Sequence, residues 1–262
     1  MNIEKKTDIF ELIHNRRSIR KFTNEPISDE ILKEILLAGI RAPFAVQLCS
    51  IIYTRDKEKM RIKCGVYPTT NILMIFLVDF YKLERIVKER GYTYNFDDGM
   101  LLLLGIQDAS LVAENIILAA EAFGLGSVLL GTVPLHIDRI QEIFKIPKRV
   151  FPLVGLCLGY PDPDVLFEIR PRYPLKSIAF EDVYKEPTES ELKEMMRAMD
   201  EGYITQGYYI KQKAKIPFKD NREDPYDYDK YSWTEHISRK VIQGIWGNSS
   251  VLTILKNHGI NL

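Results

Sequence analysis

A long, nearly continuous apolar stretch over residues 97–123 sets the strongest limit on how this chain folds. Apolar residues occupy almost every side of the helix it predicts, which indicates a helix through the protein core or through a subunit interface. Gln107, Asp108 and Glu114 interrupt the stretch, so we do not expect a membrane span. A buried carboxylate is costly unless it is hydrogen-bonded. Asp108 is therefore predicted to hold neighbouring backbone rather than to act as a general acid.

Short apolar runs rich in β-branched and aromatic residues predict buried strands. They cover residues 48–53, 72–78, 127–130 and 150–158. Helical patterns precede, separate and follow these runs, which is the element order of an α+β protein. After Pro174 the chain becomes more polar: a charged helix is predicted over 189–202, a loop over 211–230, and a final helical pair over 234–246 and 249–257.

The overall composition excludes several classes of protein. The formal net charge is +0 and charged residues make up 27% of the chain, so we expect no nucleic-acid partner. Cys49, Cys64 and Cys157 are odd in number and lack the spacing of a metal site. We therefore predict no metal and no disulfide, and a cytoplasmic protein without a membrane partner.

Two basic segments can bind an anion. Arg16, Arg17, Ser18 and Arg20 place three guanidinium groups and a hydroxyl within five residues, a set suited to a phosphate group. A solvated basic face or ion pairs with neighbouring acids would explain the same run. Arg170 and Arg172 are two apart, so in extended backbone both side chains point to one side. The alternative for this second pair is a surface ion pair with Glu168 or Asp164.

Several segments occur together in the order found in the FMN-dependent nitroreductase family, which the chain resembles over residues 8–175. They are Arg16-Arg17-Ser18-Ile19-Arg20-Lys21-Phe22, Arg41-Ala42-Pro43-Phe44-Ala45-Val46-Gln47, Asp108-Ala109-Ser110 with Glu114-Asn115, Gly124-Leu125-Gly126 leading into Leu130-Gly131-Thr132, and Leu156-Cys157-Leu158-Gly159-Tyr160-Pro161. Residues 203–207 and 231–237 are similar to the C-terminal extension of its larger NADPH-dependent, oxygen-insensitive nitroreductase and flavin reductase subgroup.

The resemblance implies a fold and a division of the chain. The expected fold is nitroreductase-like, with a mostly antiparallel sheet of four to five strands flanked by helices and followed by a C-terminal helical extension. Residues 1–175 would form the FMN-binding core. Residues 176–262 would wrap the core or a partner subunit without being an independent domain.

The resemblance also implies roles for the motif residues. Arg16, Arg17, Ser18, Arg20, Arg170 and Arg172 would hold the flavin phosphate and ribityl chain. Pro43, Phe44, Ala45 and Gln47 would contact the ring, although Phe44 and Gln47 replace the family's serine and asparagine, and Phe44 is equally explained by core packing. Leu130 and Gly131 would lie at the ring, with the Gly131 backbone amide donating to flavin N5.

The resemblance implies an oxidoreductase with a ping-pong mechanism, in which FMN takes hydride from NADPH or NADH and passes electrons to nitro compounds, quinones or free flavin. Each FMN would lie at the interface of a homodimer. The alternatives are an FMN-dependent dehalogenase or dehydrogenase of the same family, and a non-catalytic FMN-binding redox sensor. Gln206 stands where the subgroup has an arginine for the NADPH 2′-phosphate, so we expect weak discrimination between NADPH and NADH.

Overall fold

The computed structural model describes residues 8–220, 222–244 and 251–262. The elements in chain order are α1 (Ile9–Asn15), α2 (Asp29–Gly39), β1 (Cys49–Thr54), β2 (Ile72–Asp79), α3 (Phe80–Glu89), α4 (Asp98–Ala122), β3 (Gly126–Leu130), α5 (Ile137–Phe144), β4 (Val150–Gly159), α6 (Glu189–Thr205), α7 (Tyr208–Gln212), α8 (Trp233–Ile242) and α9 (Val251–Asn257). The α+β fold class is confirmed.

The sheet has four strands in the order β1-β2-β4-β3, and every neighbouring pair is antiparallel. The four predicted apolar runs correspond to the four strands, although Leu48 of the first run lies just before β1. All eight residues of β2 are buried, as expected for an interior strand covered on both faces. Strands β1 and β3 form the two edges, so the segments that lead into or flank these strands lie at opposite edges of the sheet.

The predicted apolar helix is α4. Ala109, Ala113 and Ile116 of α4 pack with Ile35 of α2 and Met74 of β2 in one buried cluster, so the expected passage through the core is confirmed. Among the described residues, α4 is the one helix that is long and apolar enough to span a membrane, but half of its most apolar window is buried inside the protein. A helix in the core of a protein can have the same length and composition.

The chain divides into two compact units, Met1–Phe167 with Ser249–Leu262, and Glu168–Asn248. The boundary predicted from the sequence lies after residue 175. The observed division differs from it in two respects: residues 168–175 group with the second unit, and the C-terminal segment groups with the first. Leu255 and Ile260 explain the second difference, because both are buried in a cluster with residues of β2, α4 and β4. Of the predicted final helical pair, residues 245–250 lie outside the described residues.

Within the second unit, a buried arginine organises the segment predicted as a loop. The Arg239 side chain is 1% exposed and forms two hydrogen bonds with the carboxylate of Asp224, at 2.7 and 2.8 Å. It also donates to the carbonyl of Ile216 at 2.7 Å and stacks over Phe218. The described residues of this segment, 211–220 and 222–230, are therefore held by specific contacts although most of them are not helical.

Candidate functional site

The basic segment after α1 lies along the outer edge of β3. Ser18 pairs with Ser127 in a parallel bridge, and the Ile19 amide donates to the Ser127 carbonyl at 2.8 Å. The close approach depends on Gly126, because a Cβ there would lie 2.5 Å from Cγ1 of Ile19. The pairing of the backbone thus fixes the position of the segment that carries Arg16, Arg17, Ser18 and Arg20. This segment lies at a strand edge that no other strand covers in the described sheet.

The guanidinium groups of this segment keep donors available for an anion. Arg17 donates to the carbonyl of Asn15 at 3.0 Å, and Arg20 to the carbonyl of Ser18 at 3.3 Å. Nε of Arg16 is buried and has no hydrogen-bond partner among the residues described. Lys21, in contrast, forms an ion pair with Asp162 at 2.9 Å. The alternative of ion pairing to neighbouring acids therefore holds for Lys21, while Arg17 and Arg20 donate to main-chain carbonyls among the residues described.

Glu121 of α4 is a charged neighbour that sequence reasoning did not single out. Burial raises the pKa of its carboxyl to about 7, the charges of Arg16 and Arg17 oppose that shift, and Glu114 adds to it. Arg17 and Glu121 line one small cavity of about 200 Å³, together with Glu11. A glutamate among apolar residues, two helical turns after Glu114, was the available signal.

The loop before β1 is held by the carboxylate of Asp108, which is 1% exposed. Asp108 accepts the amides of Ala45 at 2.8 Å, Val46 at 3.4 Å and Leu48 at 2.9 Å. Its predicted structural role is confirmed. Pro43, Phe44, Ala45 and Gln47 are all exposed. Phe44 is 58% exposed, so the core-packing interpretation of this residue is wrong in this chain.

Gln47 and Phe44 also border a cavity of about 320 Å³ beside β1, with Lys82 of α3 on its wall. Gln47 has φ of 56°, in the left-handed region, which is uncommon for a residue other than glycine. The hydrogen bonds that flank it, from Val46 and Leu48 to Asp108, hold this conformation. The loop is therefore tied to α4 through Asp108 and faces solvent.

Leu130 and Gly131 mark the C-terminal end of β3. Leu130 is buried and Gly131 is exposed. No atom lies within 4 Å of the position that a Cβ of Gly131 would take, and its amide donates to none of the backbone carbonyls described. An exposed, unpaired amide beside open space is what a donor to a flat ring requires.

The structure brings only part of the predicted set together in the first unit. Arg16–Arg20 and Gly131 belong to the β3 edge, whereas the loop over residues 43–47 leads into β1 at the other edge. Three interstrand spacings separate the two edges, or about 14 Å at roughly 4.8 Å each. Sequence order gives no hint of this separation, because strand order depends on tertiary pairing.

Arg170 and Arg172 belong to the second unit and differ in their contacts. Arg170 donates from Nη1 to Oε1 of Gln206 at 2.7 Å and lies 3.7 Å from Glu168. Arg172 is exposed and donates to the carbonyls of Arg170 and Pro171, each at 3.0 Å. The ion pair considered for Arg170 is therefore present, with Glu168. The contact with Gln206, 36 positions away, carries no sequence signal.

The structure also bears on metals and cysteines. Among residues 8–220, 222–244 and 251–262, no group of three or more His, Cys, Asp or Glu side chains is placed to hold a metal ion. Cys49, Cys64 and Cys157 are free thiols. Burial raises the pKa of Cys49 to about 12 and that of Cys64 to about 11, so neither is a thiolate at neutral pH.

Comparison with known proteins places these features in a wider group. The model of the nitroreductase family matches residues 13–98 and 103–160. An NADPH-dependent oxidoreductase of Staphylococcus saprophyticus is 34% identical over 202 residues, which are 74% of this chain and 80% of that protein. A Cr(VI) reductase of Pseudomonas sp. strain G-1 is 34% identical over 191 residues, 70% of this chain and 77% of that protein.

Solved structures show the same similarity over nearly the whole chain. The NfrA1 nitroreductase from B. subtilis has a TM-score of 0.78 at 26% identity and covers 97% of this chain and 99% of its own. The NADPH:FMN oxidoreductase from Vibrio harveyi, solved in complex with NAD⁺, has a TM-score of 0.75 at 26% identity and covers 97% and 98%.

Proposed function

The chain belongs to the nitroreductase family and is an NAD(P)H-dependent oxidoreductase, and from this premise we propose that it works with bound FMN. The proposal rests on one observation above all: the buried Nε of Arg16 has no hydrogen-bond partner among the described residues. A buried guanidinium N–H without a partner is costly. The phosphate of FMN would satisfy it.

The remaining residues of the β3 edge fit the other parts of FMN. Arg17, Ser18 and Arg20 would add guanidinium groups and a hydroxyl to the phosphate site. Arg170 and Arg172 would be the second basic pair at the phosphate, as the family resemblance implies. Leu130 would offer an apolar contact, and the Gly131 amide would donate to N5. When bound, FMN supplies the hydride chemistry. The chain itself supplies binding, orientation and the N5 donor, so no acid–base pair is required.

We propose that NADPH or NADH binds first and leaves as the oxidised nicotinamide before the acceptor enters the same cavity. The proposed acceptors are nitro compounds, quinones and free flavin. A Cr(VI) reductase and an NADPH:FMN oxidoreductase are among the proteins that this chain resembles, which supports a broad range of acceptors. We also propose a cytoplasmic protein with no nucleic-acid or membrane partner.

A second copy of the chain would complete the site. Pro43, Phe44, Ala45 and Gln47 lie at the β1 edge, about 14 Å of sheet away from β3. An apolar groove of about 680 Å³ between α1, α2 and α4 is lined by Ile9, Leu37 and Ile40, each at least 43% exposed. We propose that a homodimer buries this groove. The loop of one subunit would then meet the β3 edge of the other.

The test begins with the absorbance spectrum of the purified protein, which should show about one FMN per chain. NADPH added without oxygen should bleach the flavin bands, and a nitroaromatic compound or a quinone should restore them. Bound flavin that NADPH does not reduce would indicate a redox sensor. Reduced flavin that reacts only with a halogenated or a saturated substrate would indicate the dehalogenase or dehydrogenase alternative. A protein that binds no flavin would refute the proposal.

Three further measurements address the site and the dimer. Arg20→Ala should weaken FMN binding by about tenfold or more, because a charge-assisted hydrogen bond contributes roughly 1.5–3 kcal/mol. Light scattering should show a dimer that loses flavin when it dissociates. In mixed dimers, Arg20→Ala subunits combined with loop-variant subunits should recover one intact site, whereas a monomer with full FMN would contradict the shared site.

A further inference from the structure

Gln206 uses both ends of its side-chain amide within the second unit. Its Oε1 accepts a hydrogen bond from Nη1 of Arg170 at 2.7 Å, and its Nε2 donates to the carbonyl of Ile169 at 2.7 Å. Arginine only donates and a carbonyl only accepts, so these two partners fix the orientation of the amide. Gln206 is the C-cap of α6, and its position therefore follows that of the helix.

The segment that carries Arg170 is held firmly against α6. Pro171 packs onto Gly202, where a Cβ would lie 2.4 Å from Cγ of the proline. The Arg170 guanidinium lies over the ring of Tyr208, 4.3 Å from its centroid, a distance typical of a cation–π contact. A second ring, that of Tyr203, lies 5.8 Å from the guanidinium, and the two ring contacts together with the hydrogen bond to Gln206 restrict how the planar group can turn.

The charge of Arg170 is only partly balanced by protein groups. Its carboxylate neighbour Glu168 lies 3.7 Å away, but Lys211 donates to the same carboxylate at 2.9 Å. Two cations therefore share one carboxylate, and the cluster carries an excess positive charge. The side chain of Arg170 is 19% exposed, so part of it is open to solvent.

We propose that Gln206 is a positioning residue that orients the Arg170 guanidinium toward a phosphate monoester. This inference rests on the proposed function, in which that monoester is the 5′-phosphate of FMN. Gln206 then acts through Arg170 and does not itself bind the nicotinamide donor. The same chemical group occurs as the 2′-phosphate of NADPH, so the experiment compares both sources.

The test measures dissociation constants for matched pairs of ligands with and without the phosphate. FMN is compared with riboflavin, and NADPH with NADH, on wild type and on Gln206→Met, which keeps the size of the side chain but removes both hydrogen bonds. We expect FMN binding to weaken by about tenfold, equivalent to about 1.4 kcal/mol, and riboflavin binding to stay unchanged. Gln212→Met, at an exposed position of α7, is the matched control and should bind FMN as wild type does.

A double-mutant cycle with Arg170→Ala separates positioning from direct contact. If Gln206 acts through Arg170, Gln206→Met should have no effect on FMN binding in the Arg170→Ala background. Thermal unfolding verifies that each variant is folded. Gln206→Asn, whose amide is too short to reach both partners, replaces Gln206→Met if the latter folds poorly.

Three results would overturn the inference. They are unchanged FMN binding in Gln206→Met, equal weakening of FMN and riboflavin, and a loss of NADPH binding that persists in the Arg170→Ala background. A wild type that binds no FMN would refute the proposed function instead. The same cycle measured with NADPH and NADH would then decide the role of Gln206: a phosphate-dependent loss that requires Arg170 supports positioning, and its absence overturns it.

Discussion

The carboxylate of Asp108 accepts the backbone amide of Ala45 at 2.8 Å, across 63 positions of sequence. A charge in the middle of an apolar helix thus fixes an exposed loop at the edge of the sheet. The second carboxylate oxygen accepts from Leu48, the residue just before β1. Helix α4, the loop and the first strand are consequently tied together at one point.

Asp108→Asn should destabilise the protein and loosen this loop. The substituted amide directs N–H groups at backbone N–H groups, so at least one buried donor loses its acceptor, at a cost of about 2–3 kcal/mol. Urea unfolding measures this cost, and FMN titration should show weaker binding. Glu114→Gln, an exposed position on the same helix, is the control and should leave both values close to wild type. Equal effects of the two substitutions would contradict the anchoring role.

Two glycines at the ends of β3 should respond differently to alanine. In Gly126→Ala the new Cβ meets the Ile19 side chain at 2.5 Å, which should cost about 1–3 kcal/mol and displace the basic segment. In Gly131→Ala the methyl group enters open space, so stability should stay within about 0.5 kcal/mol of wild type. FMN binding should weaken in both variants. A Gly131→Ala protein with unchanged FMN affinity and reduction rate would argue against a ring at this position.

Arg149→Met should release the C-terminal segment from the rest of the first unit. Arg149 donates to Asp98 at 2.5 and 2.8 Å, to Glu84 at 2.6 Å and to the Gly259 carbonyl at 2.6 Å. Removing one partner of a buried ion pair costs about 3–5 kcal/mol. Urea unfolding measures the loss, and proteolysis should then reach α9. Arg85→Met, on the exposed side of α3, should unfold like wild type.

The same network predicts acid sensitivity with a defined sign. Burial would raise the pKa of Asp98, but hydrogen bonds from Arg149, Asn261 and Tyr94 outweigh it and hold the pKa at about 2, below the usual 3.8. A lowered carboxyl pKa stabilises the folded state above 3.8, and this stabilisation is lost as the pH falls toward 2. This stabilisation should be smaller in Arg149→Met, which keeps only the hydrogen bonds from Asn261 and Tyr94, so the stability of this variant in urea unfolding should fall less over that interval.

Glu121 should give the opposite pH dependence in a different range. Burial raises the pKa of its carboxyl from 4.5 to about 7 in the folded protein, against the charges of Arg16 and Arg17. The folded state then holds a proton that the unfolded state has lost, so stability falls as the pH rises from 4.5 through 7. Melting temperatures between pH 5.5 and 8 measure this, and Glu121→Gln should flatten the profile. Parallel profiles for the two proteins would show that another group titrates.

The protein should discriminate only weakly between NADPH and NADH. Both polar ends of Gln206 are occupied by Arg170 and Ile169, so its amide is not free for a 2′-phosphate. We expect kcat/KM for NADPH and NADH to differ by less than about a hundredfold, or roughly 2.7 kcal/mol. A stronger preference for NADPH would show that another cation binds the phosphate. Lys211→Met and Lys213→Met would then identify it.

Local sequence patterns were sufficient for the elements and for the basic segment. The apolar stretch over 97–123 predicted α4, and the β-branched runs predicted all four strands, because the burial of a helix or strand determines the spacing of its apolar residues. Ser18 and its neighbouring arginines could be recognised because a phosphate site needs several cationic and hydroxyl groups close together. Asp108 could be assigned a structural role because a charge in an apolar helix must be hydrogen-bonded.

Strand order and side-chain partners were decided only by the tertiary structure. The strand order β1-β2-β4-β3 separates residues 43–47 from Arg16–Arg20, and no local pattern encodes which strands become edges. Arg170 meets Gln206, and Arg149 meets the C-terminal segment, across 36 and 110 positions. Such contacts depend on how helices and strands pack, because the packed backbone determines which polar groups lie within hydrogen-bonding distance of a long side chain.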